Sequence, residues 1–381
     1  MKSDLSKKYK LRRRGVMRQA AKLHNVDAVF ISNATDIRYL TGCTEGAGGL
    51  LMAPGVESIF ISRMYEDVVP KQAPGIEIVL PAKGLFDEVI ARLNRENHRR
   101  ALGLQGNSMT WGQYSLVEKS AKRRKLVNVG DLVVDFRGVK DDDEIKLIKK
   151  CVVIAEKALA DLIAGGAGYF VGHSEKQIAA DLEYAMRRFG ADRQGFESSG
   201  IIVASGANSA SCHHMPTDRK LRRGDVLLID WGAELDGYRS DITRTLFIGK
   251  APQKKMADIY NAVLAANAVG VAAMKPGVRC QTVAKRAWDV IKDAGYGETI
   301  RHGLGHGLGL NIHERPGFGN GTIPRNGKDV ILRKNMVLTV EPGVYYDGFG
   351  GVRIEDDVVV TAKGRKCLTS FVRNLDDVIV A

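Results

Sequence analysis

Cysteine is scarce in this chain. Its 381 residues hold five, at positions 43, 151, 212, 280 and 367. The number is odd and no two stand in C-x-x-C spacing, which argues against a disulfide framework and a thiolate zinc knuckle and fits a reducing cytoplasm. Long apolar runs are also missing: none approaches the roughly 18 uninterrupted apolar residues of a membrane span. No apolar stretch of roughly 7–15 residues follows the basic start, so a secretory signal is not expected. Internal repeats of solenoid length and low-complexity tracts are absent as well. Acids are in deficit, 44 Asp and Glu against 57 Lys and Arg, a net charge of +13. Such a surplus invites a nucleic-acid reading. Yet residues 1–25 hold nine of the cations against one acid, Asp4. Most of the excess therefore sits in one leader, which reads as a solvated first helix or arm.

What is present is globular: 44% hydrophobic and 27% charged residues, in a length that suggests two domains. Strand-like runs at 28–32, 49–53, 58–62 and 132–136 and a helical pattern at 85–93 make the first third an α/β layer. A boundary falls near 137–143, giving domains 1–138 and 139–381. Asp141, Asp142, Asp143 and Glu144 suit a helix N-terminus, and Ile145, Ile148, Val152, Ala155 and Leu159 follow at helical spacing. Ser174 and Gln177 form a capping box for a second helix, with Gly190 as its stop. Helices near 254–274 and 280–292 follow, and strands dominate 200–248 and 336–361.

Two of these strand regions carry paired carboxylates. In DVLLIDWGAELDGYRSDITRTLFI (225–248), Asp236-Gly237 is a tight-turn dipeptide. With that turn Leu235 pairs with Tyr238, 230 faces 243, and 241 faces 232. Side chains alternate with period 2, so Asp230 and Asp241 project from one face as diagonal neighbours. Two such carboxylates share a proton or a cation. This segment alone is equally well read as one turn-capping and one exposed Asp. MVLTVEPGVYYDGFGGVRIEDDVVV (336–360) repeats the arrangement. Glu341 ends one strand before Pro-Gly, read as a chain reversal, and Arg353 and Glu355 share a face of the next. Glu within a β-branched strand is disfavoured unless it has a role. Between the two hairpins lies HGLGHGLGLNIHERP (302–316), with three of the chain's eight histidines. Its glycines let the backbone approach a site closely. Four carboxylates with one imidazole suit hard or borderline divalent ions: Mn²⁺, Co²⁺, Fe²⁺ or Zn²⁺.

In order, SASCHHMPTD (209–218), IDWG, SDITRT, GHGLGLNIHE, VEPGVY and GVRIED resemble the pita-bread metallopeptidases, which include Xaa-Pro aminopeptidases, Xaa-Pro dipeptidases and methionine aminopeptidases. DIRYLTG (36–42) resembles the creatinase-like amino-terminal domain, so the likeness spans nearly the whole chain. It implies an α/β creatinase-like domain followed by an α+β pita-bread catalytic domain. It also implies two divalent ions, with manganese first in rank. Asp230 would chelate one ion, Asp241 and Glu355 would bridge both, and His306 and Glu341 would complete the second. His213 and His313 would contact the substrate, and His214 has no such assignment. The implied reaction is hydrolysis of Xaa-Pro bonds at the N-terminus of short peptides by a hydroxide held between the ions. Glu341 would carry the proton. The implied assembly is a homodimer.

Three positions depart from the pattern: Cys212 stands where Pro is frequent, Asn335 where Gly is frequent, and Gly317 where some dipeptidases carry an Arg for the substrate's carboxylate. Two other classes share the fold, a metal-free creatinase-like C–N hydrolase and an inactive protein-binding module. Both would be expected to have lost ligands, whereas all five positions are filled here.

Overall fold

The structure is a computed structural model. It describes all residues except 1, 83, 97, 99, 123, 197–199 and 320–328. It divides into two compact units, Met1–Arg137 and Gly138–Ala381.

The first unit opens with α1 (Lys2–His24) and continues through β1 (Ala28–Ile31), α2 (Ala34–Thr41), β2 (Ala47–Ala53) and β3 (Val56–Ile61). After α3 (Val69–Gln72) come β4 (Glu77–Val79), α4 (Leu85–Arg95), β5 (Ala101–Leu104), α5 (Trp111–Ala121), β6 (Lys125–Asn128) and α6 (Leu132–Arg137). The strands form one mixed sheet in the order β4-β3-β2-β1-β5-β6. Its apolar face is filled by Phe30, Leu51, Phe60, Val89, Leu93 and their neighbours.

Two readings change in this unit. Residues 132–136, expected as a strand, form helix α6. The β-branched pair Val133-Val134 suggested extension, but Leu132, Val133, Phe136 and Arg137 share one helical face. Arg137 there pairs with buried Asp36 at 2.7 Å, and Phe136 packs over Gly15, so tertiary packing overrides propensity. The leader is helical but only partly solvated. Arg12 lies 3.9 Å over the Tyr39 ring. Arg13 is buried, donating to Leu40 O at 2.9 Å and to Glu57 at 2.7 Å.

The second unit begins with α7 (Asp142–Ile163), capped by Asp141 in a reciprocal box with Glu144. Then come α8 (Gly166–Phe170) and α9 (Glu175–Arg188), whose Ser174–Gln177 box is formed as expected. The strands β7 (Arg193–Gln194), β8 (Ile202–Ser205), β9 (Val226–Trp231), β10 (Ala233–Leu235), β11 (Tyr238–Arg239) and β12 (Ile242–Ile248) follow. Helices α10 (Lys254–Ala273) and α11 (Cys280–Asp293) pack together. The remaining strands are β13 (His306–Gly307), β14 (Glu314–Gly317), β15 (Val337–Val340), β16 (Gly343–Tyr346), β17 (Gly350–Arg353), β18 (Asp356–Val360), β19 (Arg365–Cys367) and β20 (Ile379–Val380). Two sheets dominate, β20-β12-β9-β8 and β14-β13-β15-β18-β19. By length and composition α10 alone among the described helices could cross a membrane. Half of its apolar window is buried within the protein.

The first hairpin has the expected register, with Leu235 opposite Tyr238 and Asp230 opposite Thr243. In the second, Pro342-Gly343 does not reverse the chain. Proline has no N–H to give the ladder, so the sheet breaks there and resumes as the β16–β17 ribbon, which turns at residues 347–349. Val340 faces Asp356 and Gly343 faces Arg353, so one register runs through the break and sets Glu341 opposite Glu355.

Candidate metal centre

The strand alternation and the break at Pro342 aim the carboxylates into one cavity of about 350 Å³ within the second unit. All seven residues singled out from the sequence line it: Asp230, Asp241, His306, Glu341, Glu355, His213 and His313. His213 and His313 are exposed at its rim. Asp230, Asp241 and Glu355 are buried. His306 reaches its place because residue 305 is glycine: φ is 157°, and a Cβ there would lie 2.2 Å from Thr339 O.

Asp241, His306 and Glu355 each hold a ligand atom within 4.8 Å of the others. His306 Nε2 lies 3.5 Å from Asp241 Oδ2 and 3.3 Å from Glu341 Oε1. The tautomer can be assigned. Nδ1 faces Gly307 O at 3.1 Å, and a carbonyl only accepts, so Nδ1 carries the hydrogen. Burial and the neighbouring His313 lower the imidazole pKa to about 3, so it is neutral and these contacts are not ion pairs. Nε2 therefore presents a lone pair to carboxylate oxygens. Asp230 Oδ1, Asp241 Oδ1 and Glu355 Oε1 are buried without a hydrogen-bond partner among the described residues. Converging lone pairs with no donor between them are costly, and a cation relieves that cost. The residues present fit divalent metal.

The electrostatics agree. Burial, then repulsion from Glu355, Asp230 and Glu341, pushes Asp241 well above the usual carboxylate range. Glu355 is raised by burial and by Glu341 and Asp230. Glu341 reaches about 8, chiefly through burial, although Arg353 opposes the rise.

A directed hydrogen-bond chain braces this cluster. Arg353 donates to Asp230 Oδ2 at 2.6 Å, to Thr243 Oγ1 at 2.9 Å and to Tyr345 Oη at 2.9 Å. Tyr345 in turn meets His302 Nε2 at 2.7 Å, and His302 Nδ1 meets Gly303 O at 2.7 Å. Thr243 Oγ1 donates to Glu355 Oε2 at 2.7 Å. Asp357 accepts the Asp241 backbone N–H at 3.1 Å. The sequence placed Arg353 on the strand face of Glu355, and there it braces the cluster. Tyr345, Thr243 and His302 were missed: no helix or strand period ties Thr243 to partners more than a hundred residues away, or Tyr345 to His302 across 43 residues. His214 points away from the cavity to Glu175, at 2.8 Å. Gly317 lies opposite His306 and offers no side chain.

Carboxylates and a neutral imidazole converging at the floor of an open cavity are the donor set of a metal-dependent hydrolase centre. The chain belongs to metallopeptidase family M24, whose family model matches residues 146–362, and a Creatinase/Prolidase N-terminal domain matches residues 13–139. It is 35% identical to the Xaa-Pro dipeptidase of Pyrococcus furiosus, over 92% of this chain and 96% of that one. Among solved structures, an Xaa-Pro dipeptidase from Bacillus anthracis superposes with a TM-score of 0.88 at 34% identity, covering 96% of this chain and 98% of the other. The X-Pro aminopeptidase of Thermotoga maritima gives 0.83 at 30%, covering 95% and 98%. The fold is thus a creatinase-type domain followed by the pita-bread catalytic domain. The protein is a metallopeptidase, and its family implies divalent metal ions.

Proposed function

We propose that the protein hydrolyses Xaa-Pro bonds at the N-terminus of short peptides, with two divalent ions held by Asp230, Asp241, His306, Glu341 and Glu355. The gathering of carboxylates with unpartnered buried oxygens around the neutral His306 imidazole supports this most directly. The names of the relatives supply the proline preference. When bound, the ions supply Lewis-acid polarisation of a carbonyl and a lowered pKa for water.

The side chains do the rest. Asp230 would hold one ion, and its Oδ2 accepts from Arg353. Asp241 and Glu355 would be shared between the ions, and His306 and Glu341 would complete the donor set. Glu341 Oε1 is engaged by Thr339 at 3.1 Å, which leaves Oε2 to take a proton from the attacking water and return it to the leaving nitrogen. His213 and His313 at the rim donate to the substrate carbonyl and the developing oxyanion. Phe196 and Ile202 supply apolar wall for a proline ring.

Manganese is the proposed ion, with Co²⁺, Fe²⁺ and Zn²⁺ also compatible with the donor set. A homodimer in the cytoplasm, without nucleic-acid or membrane partners, is the proposed setting. The test is metal analysis of protein purified without chelator, together with a cleavage screen on Xaa-Pro dipeptides, Xaa-Pro-Yaa tripeptides and Met-peptides. Stoichiometric metal with Xaa-Pro cleavage supports the reading. Trace metal and no rescue by Mn²⁺ or Co²⁺ points instead to the metal-free C–N hydrolase or the inactive module.

A further inference from the structure

Glu175 is the first residue of α9. A carboxylate at that position ordinarily sits in water and steadies the helix dipole. This one is fully buried and spends both oxygens on another segment. Its Oε1 accepts from Ser205 N at 2.7 Å, Ser205 Oγ at 2.7 Å and Asn208 Nδ2 at 2.9 Å. Its Oε2 meets His214 Nε2 at 2.8 Å and accepts from Thr217 N at 3.0 Å and Thr217 Oγ1 at 2.6 Å. Six contacts exceed what a helix cap needs, and all six come from residues 205–217.

That segment carries His213, the residue just before His214. Its other side is tied to the strand that bears Arg353: Gly351 N donates to Ser209 Oγ at 2.8 Å, and Arg353 Nη1 to Cys212 O at 3.4 Å. His213 is thus flanked by an anchor on each side, Arg353 through Cys212 and Glu175 through His214. Burial by itself would raise the Glu175 pKa. The bonds from Thr217, His214, Ser205 and Asn208 outweigh it and bring the value down to about 2, so the group is an anion throughout the working range. An anion can accept from every donor around it, whereas an amide has one accepting oxygen and would turn its own N–H groups on the rest.

We propose that Glu175 is the positioning residue for His213, its carboxylate holding residues 205–217 so that the His213 imidazole stays at the cavity rim. This rests on the reading of His213 as a donor to the substrate. The test uses the metal-loaded full chain carrying Glu175→Gln or Glu175→Asp, each with and without His213→Ala. It has two readouts: kcat and KM on Ala-Pro and Ala-Pro-Ala, and amide hydrogen exchange.

Glu175→Gln should lower kcat roughly 10–100-fold with KM and metal content little changed. The Ser205 and Thr217 amides should lose protection while the β9 and β12 amides keep theirs. Glu175→Asp, which retains the anion, should restore part of the turnover. In the His213→Ala background Glu175→Gln should cost little more, because the two residues act as one unit. An equal fold loss in both backgrounds overturns the proposal, as does intact turnover or unchanged exchange at Ser205 and Thr217. Should Glu175→Gln fail to fold, Thr217→Val removes one side-chain bond to the same oxygen and carries the same cycle. If the unmutated protein cleaves no Xaa-Pro peptide, the functional reading falls. The exchange arm still decides whether Glu175 holds the segment.

Discussion

Strand alternation and one turn dipeptide put Asp230 and Asp241 on one face, and alternation put Arg353 with Glu355; the ligand roles of Asp241, Glu355 and His306 came from the family resemblance. Their environment makes separable predictions. Asp241→Ala or Glu355→Ala should abolish peptidase activity and remove at least one ion per chain by metal analysis; full metal content with normal turnover would refute the bridging roles. His306→Ala should also lose metal. His213→Ala and His313→Ala should keep it and lose about 10²–10³ in turnover, the scale of one transition-state donor. Loss of metal in all of them would contradict the division between depth and rim. The carboxyl pKa values add a pH signature. Glu341 in the metal-free fold is raised from 4.5 to about 8, so the native state there binds more protons than the unfolded chain. Metal-free protein should therefore lose stability as pH climbs through that window. Because ligands must be ionised, the rise in Tm on adding Mn²⁺ should grow from about pH 5 to about pH 8. A gain that is flat with pH would argue against these ligands. What stayed illegible was the bracing layer, since the Arg353–Tyr345–His302 chain depends on tertiary contacts that no local period encodes.

Elements with explicit caps were read correctly, as at Asp141 and Ser174, where side chain and backbone satisfy each other within four residues. Elements decided by packing were not. Helix α6 looked extended because its valines favour strands, but the burial of Leu132 and Val133, the Arg137–Asp36 pair and the Gly15–Phe136 contact favour the helical face. Pro342-Gly343 looked like a turn because that dipeptide usually is one; here it interrupts a continuing ribbon. Helix α1 was read as solvated from its charge, yet Arg13 is buried against Leu40 O and Glu57. Arg13→Ala should cost about 3 kcal/mol in the stability of the first unit, because it leaves a partly buried carboxylate and a carbonyl unpaired. Exposed Arg14→Ala on the same helix should change little. Equal effects in denaturant melts would return α1 to the solvated reading.

At the scale of the whole molecule, length and the order of motifs pointed to two layers of different kind, and all five proposed ligands fall in the second unit. The expected preference for substrate length turns on a position with no side chain. A dipeptide puts its carboxylate on the proline itself and calls for a nearby cation, preferably a forked Arg. Gly317, opposite His306, provides none, and Arg353 is committed to Asp230, Thr243 and Tyr345. The protein should accept Ala-Pro-Ala at least as well as Ala-Pro, measured as kcat/KM at saturating metal. A tenfold preference for the dipeptide, about 1.4 kcal/mol, would overturn this and require another carboxylate-binding group.

Strand β20 has a practical consequence. Ile379 and Val380 pair in parallel with Phe247 and Ile248 of β12, and Ala381 O receives the Ala167 N–H at 2.8 Å. Proteolytic clipping of these three residues would bare the edge of β12, the strand that starts beside Asp241. An uncovered edge rich in β-branched and aromatic side chains is a template for aggregation. Protein lacking residues 379–381 should therefore precipitate on storage before it loses its metal.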